Sequence, residues 1–216
     1  MMRKSYSYEM LQKHSNEVSL TTRKLLKHEI KQARKTFDFL DQHFHYLENK
    51  PKSYVRNVKM MLTARFINHL FSGLQLIERG LILDAFNCSR SALETTAFYW
   101  LVCNDSSSVS LYDGEKSPPP VEIRKRLEKQ GIDVQAIRDL YSLESAISHV
   151  GNETDRLQLR WEEGSRGSVL VGGDMQPDLQ RQMLTGLVIS VFRFIKFEDE
   201  YIVPDLDDPS SWQSKG

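Results

Sequence analysis

Two charged side chains inside the most apolar stretch of this 216-residue chain are the first candidates for chemistry. From Ala85 to Cys103 the residues read as a helix that is greasy on nearly every side, and only Arg90 and Glu94 carry charge within it. Four residues apart, the two share one helix face. A helix that is apolar all round belongs in the middle of a domain, and a charge is rarely fully buried unless it is paired. The pair is therefore expected to face inward and to be met there by groups from another segment. The segment from Asp133 to Gly151 offers them. Glu144 and Ser148 fall among Ile137, Leu140, Tyr141 and Ile147 on its apolar side, and His149 stands at the edge of that side. Arg90 would supply fixed positive charge and a fork of donors. Glu94 or Glu144 would orient it, and His149 could move a proton near neutral pH. Two readings of this set stand side by side. Arg90, Glu94, Glu144, Ser148 and His149 form a catalytic or binding site, or the charged members form a satisfied ionic network that pins helix register.

Other chemistries find less support. His43 and His45 are two apart on a helix and point to different sides, and no Glu is followed by His at the third position, as paired diiron motifs require. Clustered Cys or His for zinc is missing. No metal and no cofactor is expected. Gly-x-Ser-x-Gly is absent, the glycines of 164–167 and 172–173 suit turns or caps, and no phosphate-binding loop pattern occurs. His69, on a stripe with Leu62, Phe66, Gly73 and Leu76, is expected to be a hydrogen-bonded core histidine.

The elements that must position these groups follow from periodicity. A helix is predicted from about 16 to 48. Its Leu26, Ile30, Ala33, Phe37, Leu40, Phe44 and Leu47 alternate in steps of four and three, a coiled-coil type of seam suited to an outer helix or a dimer arm. Pro51 ends it. A second helix covers about 53–79, punctuated by Gly80, with Gly73 admitting a close neighbour. The Ala85–Cys103 helix comes next, then a Ser-rich loop from Asn104 to Pro120, and a charged helix over 121–130. Asp133 is a plausible N-cap for the helix ending at Gly151. Alternation at Leu157, Leu159 and Trp161, turn residues at 163–167 and the run Ser168–Val171 predict a short β-hairpin. A last helix extends from Pro177 to about Glu200. The expected fold is mainly all-α, a bundle of about five or six helices with one small hairpin. It forms one domain over 1–203, with 52–200 as core and 16–50 as the outer helix. Residues 204–216 are expected to be a disordered acidic tail.

Composition bounds the partners. Hydrophobic residues make up 40% of the chain and formal net charge is zero, so no global field argues for nucleic acid or membrane. Charge is nonetheless uneven. Six cations (Arg23, Lys24, Lys27, Lys31, Arg34, Lys35) stand against Glu29 alone in residues 23–35, while Glu198, Asp199, Glu200, Asp205, Asp207 and Asp208 are unrelieved by any cation. These are either solvated faces or, for the basic helix, a contact for RNA, DNA or the acidic tail of another subunit. Cys88 and Cys103 on one helix would lie about 22 Å apart, too far to bridge, and reduced thiols fit the cytoplasm. The first residues do not form a signal peptide, and Met183–Phe197 is too short to span a bilayer. A soluble, cytoplasmic protein is expected.

Arg90-Ser91-x-x-Glu94, preceded by Asp84-Ala85 and followed by Tyr141-x-Leu143-x-x-x-Ile147-Ser148-His149, resembles a family of uncharacterised bacterial helical proteins. These carry an Arg-Ser-x-x-Glu helix and a later Ser-His helix. The resemblance spans roughly 64–173, about half the chain. The architecture of that family is similar to the HEPN superfamily of helical bundles, many of which are metal-independent ribonucleases or nucleotide-binding partners in toxin and phage-defence systems. HEPN ribonucleases place His four to six residues after Arg on one helix. Here Arg23-x-x-x-x-His28 is the sole match, a spacing that chance supplies in a chain with this many arginines and six histidines. The resemblance thus implies a homodimeric binding or regulatory module for RNA or nucleotide. A ribonuclease completed by Arg90 and His149 from separate helices, and a structural interaction protein using the seam of residues 26–47, are the alternatives.

Overall fold

The computed structural model describes residues 7–112, 118–135, 137–139, 141–142, 159–161, 167–169 and 173–196. They are mostly helical, and each helix begins or ends for a local chemical reason. Ser7 and Ser53 cap α1 (Tyr8–Leu25) and α3 (Tyr54–Glu78), their hydroxyls accepting from the backbone N–H of Met10 and Arg56. Between them α2 (Lys27–Asn49) stops at Lys50, whose extended backbone is what a residue one before Pro51 prefers. α3 gives way to α4 (Ile82–Asn104) at Gly80, which takes a φ of 69° while the N–H of Leu81 reaches back to the carbonyl of Leu76. α5 (Pro120–Lys129) and α6 (Pro177–Ile195) both start with proline in the first turn.

The outer helix expected over 16–50 is two helices. The break falls at Leu26, where φ is −109° and ψ is 34°, without any Gly or Pro to announce it. Leu26 is fully buried, so tertiary burial at the junction, not local propensity, sets the bend. The Asn104–Pro120 loop is also partly ordered. Asp105 accepts from the Ser107 N–H and from the hydroxyls of Ser107 and Ser108, starting a 3-10 turn over Ser106–Leu111. These two features raise the helix count above the five or six expected. Two short strands, Leu159–Trp161 and Gly167–Val169, pair antiparallel, while the turn that would make them a hairpin lies outside the described residues. So do Glu198–Glu200 at the expected end of the last helix and the expected tail at 204–216.

α3 and α4 make the most extensive helix pairing, and α2 and α6 pack beside them. α4 is buried on every side from Thr95 to Val102, which satisfies the all-round apolar pattern of its C-terminal half. Most of the expected seam packs inside the chain, while Phe37 and Phe44 are half-buried. Leu26, Ile30, Ala33, Leu40 and Leu47 are buried, and Phe37 packs edge-on against Phe71. At the centre Phe194 stacks on Phe66 and lies against Tyr99, whose hydroxyl meets Nε2 of His43 at 2.8 Å. Gln180 is buried and ties three helices, donating to the Ile77 carbonyl and the Thr22 hydroxyl. No described helix is long and apolar enough to cross a membrane.

Candidate functional site

Arg90 sits on α4 one turn before Glu94, and the segment after Asp133 approaches it. Asp133 caps that segment as expected, accepting from the Gln135 N–H at 2.8 Å. Val134 and Ile137 are buried in the core, and Arg138 donates to Glu128 on α5. One turn beyond Ile137, Tyr141 therefore arrives beside Arg90. The Arg90 Nη2 donates to its hydroxyl at 2.7 Å, and the guanidinium carbon lies 4.7 Å from the ring centroid. The guanidinium of Arg124, from α5, lies 4.5 Å from the same centroid. A single aromatic ring thus meets two cations, each attracted by its quadrupole.

The expected inward-facing ion pair is not buried. The Arg90 and Glu94 side chains are 28% and 32% exposed, and the Nε–Oε1 separation is 3.3 Å. The reason is position along the helix. The first half of α4 leaves the faces of Asn87 and Arg90 near solvent, and enclosure begins at Ala92. Arg90 has five N–H donors, of which Glu94 and Tyr141 take one each, leaving three to offer. Arg124 has no ion-pair partner among the described residues. Among the described residues two guanidiniums stand against one carboxylate around the Tyr141 ring. Glu144, Ser148 and His149, the remaining candidates, lie outside the described residues.

Tyr141 and Arg124 were not legible as site residues. The sequence places Tyr141 on an apolar side, where its hydroxyl is the clue that it needs a polar partner. Arg124 is one cation among several on a charged helix.

A second arginine–glutamate cluster occupies the basic region at 23–35. Glu78, the sole acid of α3, is 3% exposed. Its Oε2 accepts from Nε and Nη2 of Arg23 at 2.7 and 2.6 Å, and its Oε1 from Nη2 of Arg34 at 2.7 Å. Lys27, Lys31 and Lys35 follow one another at four-residue steps on α2 and line a shallow groove with Arg23, Arg34 and Asp38. The basic run is thus neither wholly a solvated face nor wholly a contact surface, because two of its arginines close over a buried carboxylate.

The histidines divide. His43 is a core residue, and exposed His45 pairs with Glu48. His69 differs from expectation, for its Nε2 is buried and has no hydrogen-bond partner among the described residues. Burial, then the charge of Arg65, hold its pKa below the ordinary histidine value, against an opposing pull from Glu94. Cys88 and Cys103, both on α4, are not joined in a disulfide, and burial followed by the charge of Asp84 pushes the Cys88 pKa up, making it a poor nucleophile. Among the described residues no group of three or more His, Cys, Asp or Glu is arranged to hold a metal. No protein-family model, curated protein or solved structure matches this chain.

Proposed function

We propose that the chain is a binding or regulatory module for a phosphate-bearing ligand, a nucleotide or RNA, working as a HEPN-like cytoplasmic homodimer. The observation that supports this is the pair of guanidiniums on Tyr141. Among the described residues Arg90 is oriented by Glu94 and the tyrosine hydroxyl and keeps three donors, while Arg124 meets no carboxylate. Oriented, half-exposed guanidiniums bind phosphate bidentately with little ordering left to do. Glu94 and Tyr141 act here as positioning residues. Ser148 and His149, which the sequence reading adds as a hydroxyl and an imidazole, lie outside the described residues. The lysine ridge of α2 supports the same class of ligand by adding sequence-independent attraction for a phosphate chain.

Fluorescence anisotropy with a 5′-phosphorylated RNA decamer tests the reading. Saturable binding is expected, weakening by at least about 25-fold for a tenfold rise in salt, the slope for the two phosphates neutralised by Arg90 and Arg124 on a single strand, to which the lysine ridge adds. Arg124→Gln should lower the slope by about 0.7. Absence of saturable binding at low salt, or an affinity indifferent to Arg90→Gln, would sink the proposal. Cleavage of the RNA in the presence of chelator, lost in His149→Ala with an unchanged melting temperature, would replace it with the ribonuclease. A monomeric mass in solution would remove the homodimer.

A further inference from the structure

The lysine row of α2 points at the end of α6. Lys27, Lys31 and Lys35 are exposed and stand at four-residue steps, so they share one ridge of the helix. The next step along that ridge is Phe39, whose ring lies 5.6 Å from that of Phe192 near the end of α6. One step further, His43 meets Phe194 of the final turn edge-on. At the other end Arg181, in the first turns of α6, pairs with Glu29. The two helices therefore run side by side in the same direction, and the chain leaves α6 where the lysine ridge arrives.

The three lysines share a groove of about 430 Å³ with Arg23 and Arg34. Glu78 holds both guanidiniums from below, yet each arginine stays more than half exposed and lines the groove. Against these five cations stand Asp38 and the buried Glu78, which the arginines already hold. Among the described residues none of the three lysines has an ion-pair partner. The groove thus favours an anion. No aromatic side chain lines it, so a nucleic-acid base would find nothing there to stack on.

The residues that follow Lys196 match this groove in charge and in reach. Glu198, Asp199, Glu200, Asp205, Asp207 and Asp208 have no cation among them. Lys35 lies about 12 Å back along α2 from His43, and Lys27 about 24 Å back. An extended chain covers about 3.3 Å per residue. Asp199 can thus reach the level of Lys35, and Asp205 to Asp208 the level of Lys27. We propose that residues 198–208 dock in the α2 groove of their own chain, as an acidic strap that competes with a phosphate chain for Lys27, Lys31 and Lys35. Guanidinium forks bind carboxylate and phosphate alike. Tethering favours the same chain over a second copy, because a short linker sets an effective concentration of about millimolar order. The docking is independent of the Arg90 site, while its effect on RNA affinity rests on the function proposed above.

A carbodiimide, which joins lysine to carboxylate without a spacer, reads the contact in the unmodified full chain, and peptide mass spectrometry locates the links. Links from Lys27, Lys31 or Lys35 to acids within 198–208 are expected at low salt. They should be lost in about 0.5 M salt, where exposed charges are screened. In a mixture of nitrogen-15-labelled and unlabelled chains they should join peptides of like label. Changing the six acids to amides (Glu198→Gln, Asp199→Asn, Glu200→Gln, Asp205→Asn, Asp207→Asn, Asp208→Asn) should tighten binding of the RNA decamer about tenfold, the gain if the strap holds the groove nine-tenths of the time. That gain should vanish when Lys27→Gln, Lys31→Gln and Lys35→Gln are also present. Absence of such links, links no more frequent than those to exposed Lys13, Lys52 and Lys129, links of mixed label, or an RNA affinity unmoved by the six changes would each overturn the proposal. If neither chain binds RNA, the function proposed above fails by itself, and the link map alone decides the docking.

Discussion

Two clusters built from the same residue types, arginine and glutamate, do opposite things in this molecule. At Glu78 the carboxylate is buried and both its oxygens are taken by guanidiniums from α1 and α2 at 2.6–2.7 Å. At Arg90 the guanidinium is the central group, its carboxylate partner is at 3.3 Å and partly solvated, and a tyrosine supplies the shorter bond. The first arrangement uses up its carboxylate in joining helices, both oxygens being bonded to guanidiniums that are themselves more than half exposed. In the second, among the described residues, three of the Arg90 N–H groups have no partner. The difference teaches that which partner is enclosed matters more than which residues are present. A buried acid requires its cations, whereas a half-exposed cation held by one weak pair remains available.

Breaking the buried member should have the largest effect. Glu78→Gln removes the charge that both arginines face and is expected to lower unfolding free energy by about 2–3 kcal/mol. That is less than a wholly enclosed pair would lose, because Arg23 and Arg34 are more than half exposed and can turn to water. Urea denaturation measures it, and RNA affinity of the folded fraction should be unaltered. Glu94→Gln costing as much stability as Glu78→Gln would erase the contrast. Next comes Arg90→Gln. An affinity loss of about tenfold, or 1.4 kcal/mol, is expected, with a stability change below about 1 kcal/mol. Tyr141→Phe sharpens the comparison further, since it retains the ring beneath both cations and removes only the acceptor. Unfolding free energy should fall by about 0.5–1 kcal/mol, and anisotropy should report a smaller affinity loss than for Arg90→Gln.

The smallest effect is a pH trend at His69. Its folded pKa lies below 6.5, so the unfolded chain binds more protons in that range. Its contribution to stability is therefore present above pH 6.5 and is lost as pH falls below that value. Melting temperatures of His69→Leu followed from pH 7.5 to 5 should decline less steeply than those of the unmodified chain. A parallel decline in both would show that His69 is not depressed.

Much of the helix layout was legible because its causes act within one turn of the chain. Ser53, Gly80, Asp133 and the prolines at 51, 120 and 177 each act on the backbone next to them. The apolar run ending at Val102 is long enough that its burial could be read directly. Glu78 was also within reach, since a sole acid among Leu74, Leu76 and Ile77 raises the same question as Arg90 in its own helix. Arg90 meets the expected segment through Tyr141 but is less enclosed than expected, because periodicity ranks faces around a helix and is blind to where along its length enclosure begins. The break at Leu26 escaped for a related reason, having no residue that breaks helices.

Local chemistry in the chain was thus sufficient for the helical class, for most helix ends, and for singling out Arg90 with Glu94. Packing chose their company. Glu78 meets arginines 55 and 44 positions away, and Arg90 meets a tyrosine 51 positions away. The space lined by His69 and Gly186 lies between three helices from distant parts of the chain. Caps and turns depend on the nearest few residues, while contacts across the bundle depend on how whole helices settle against one another. No short window of residues contains that information.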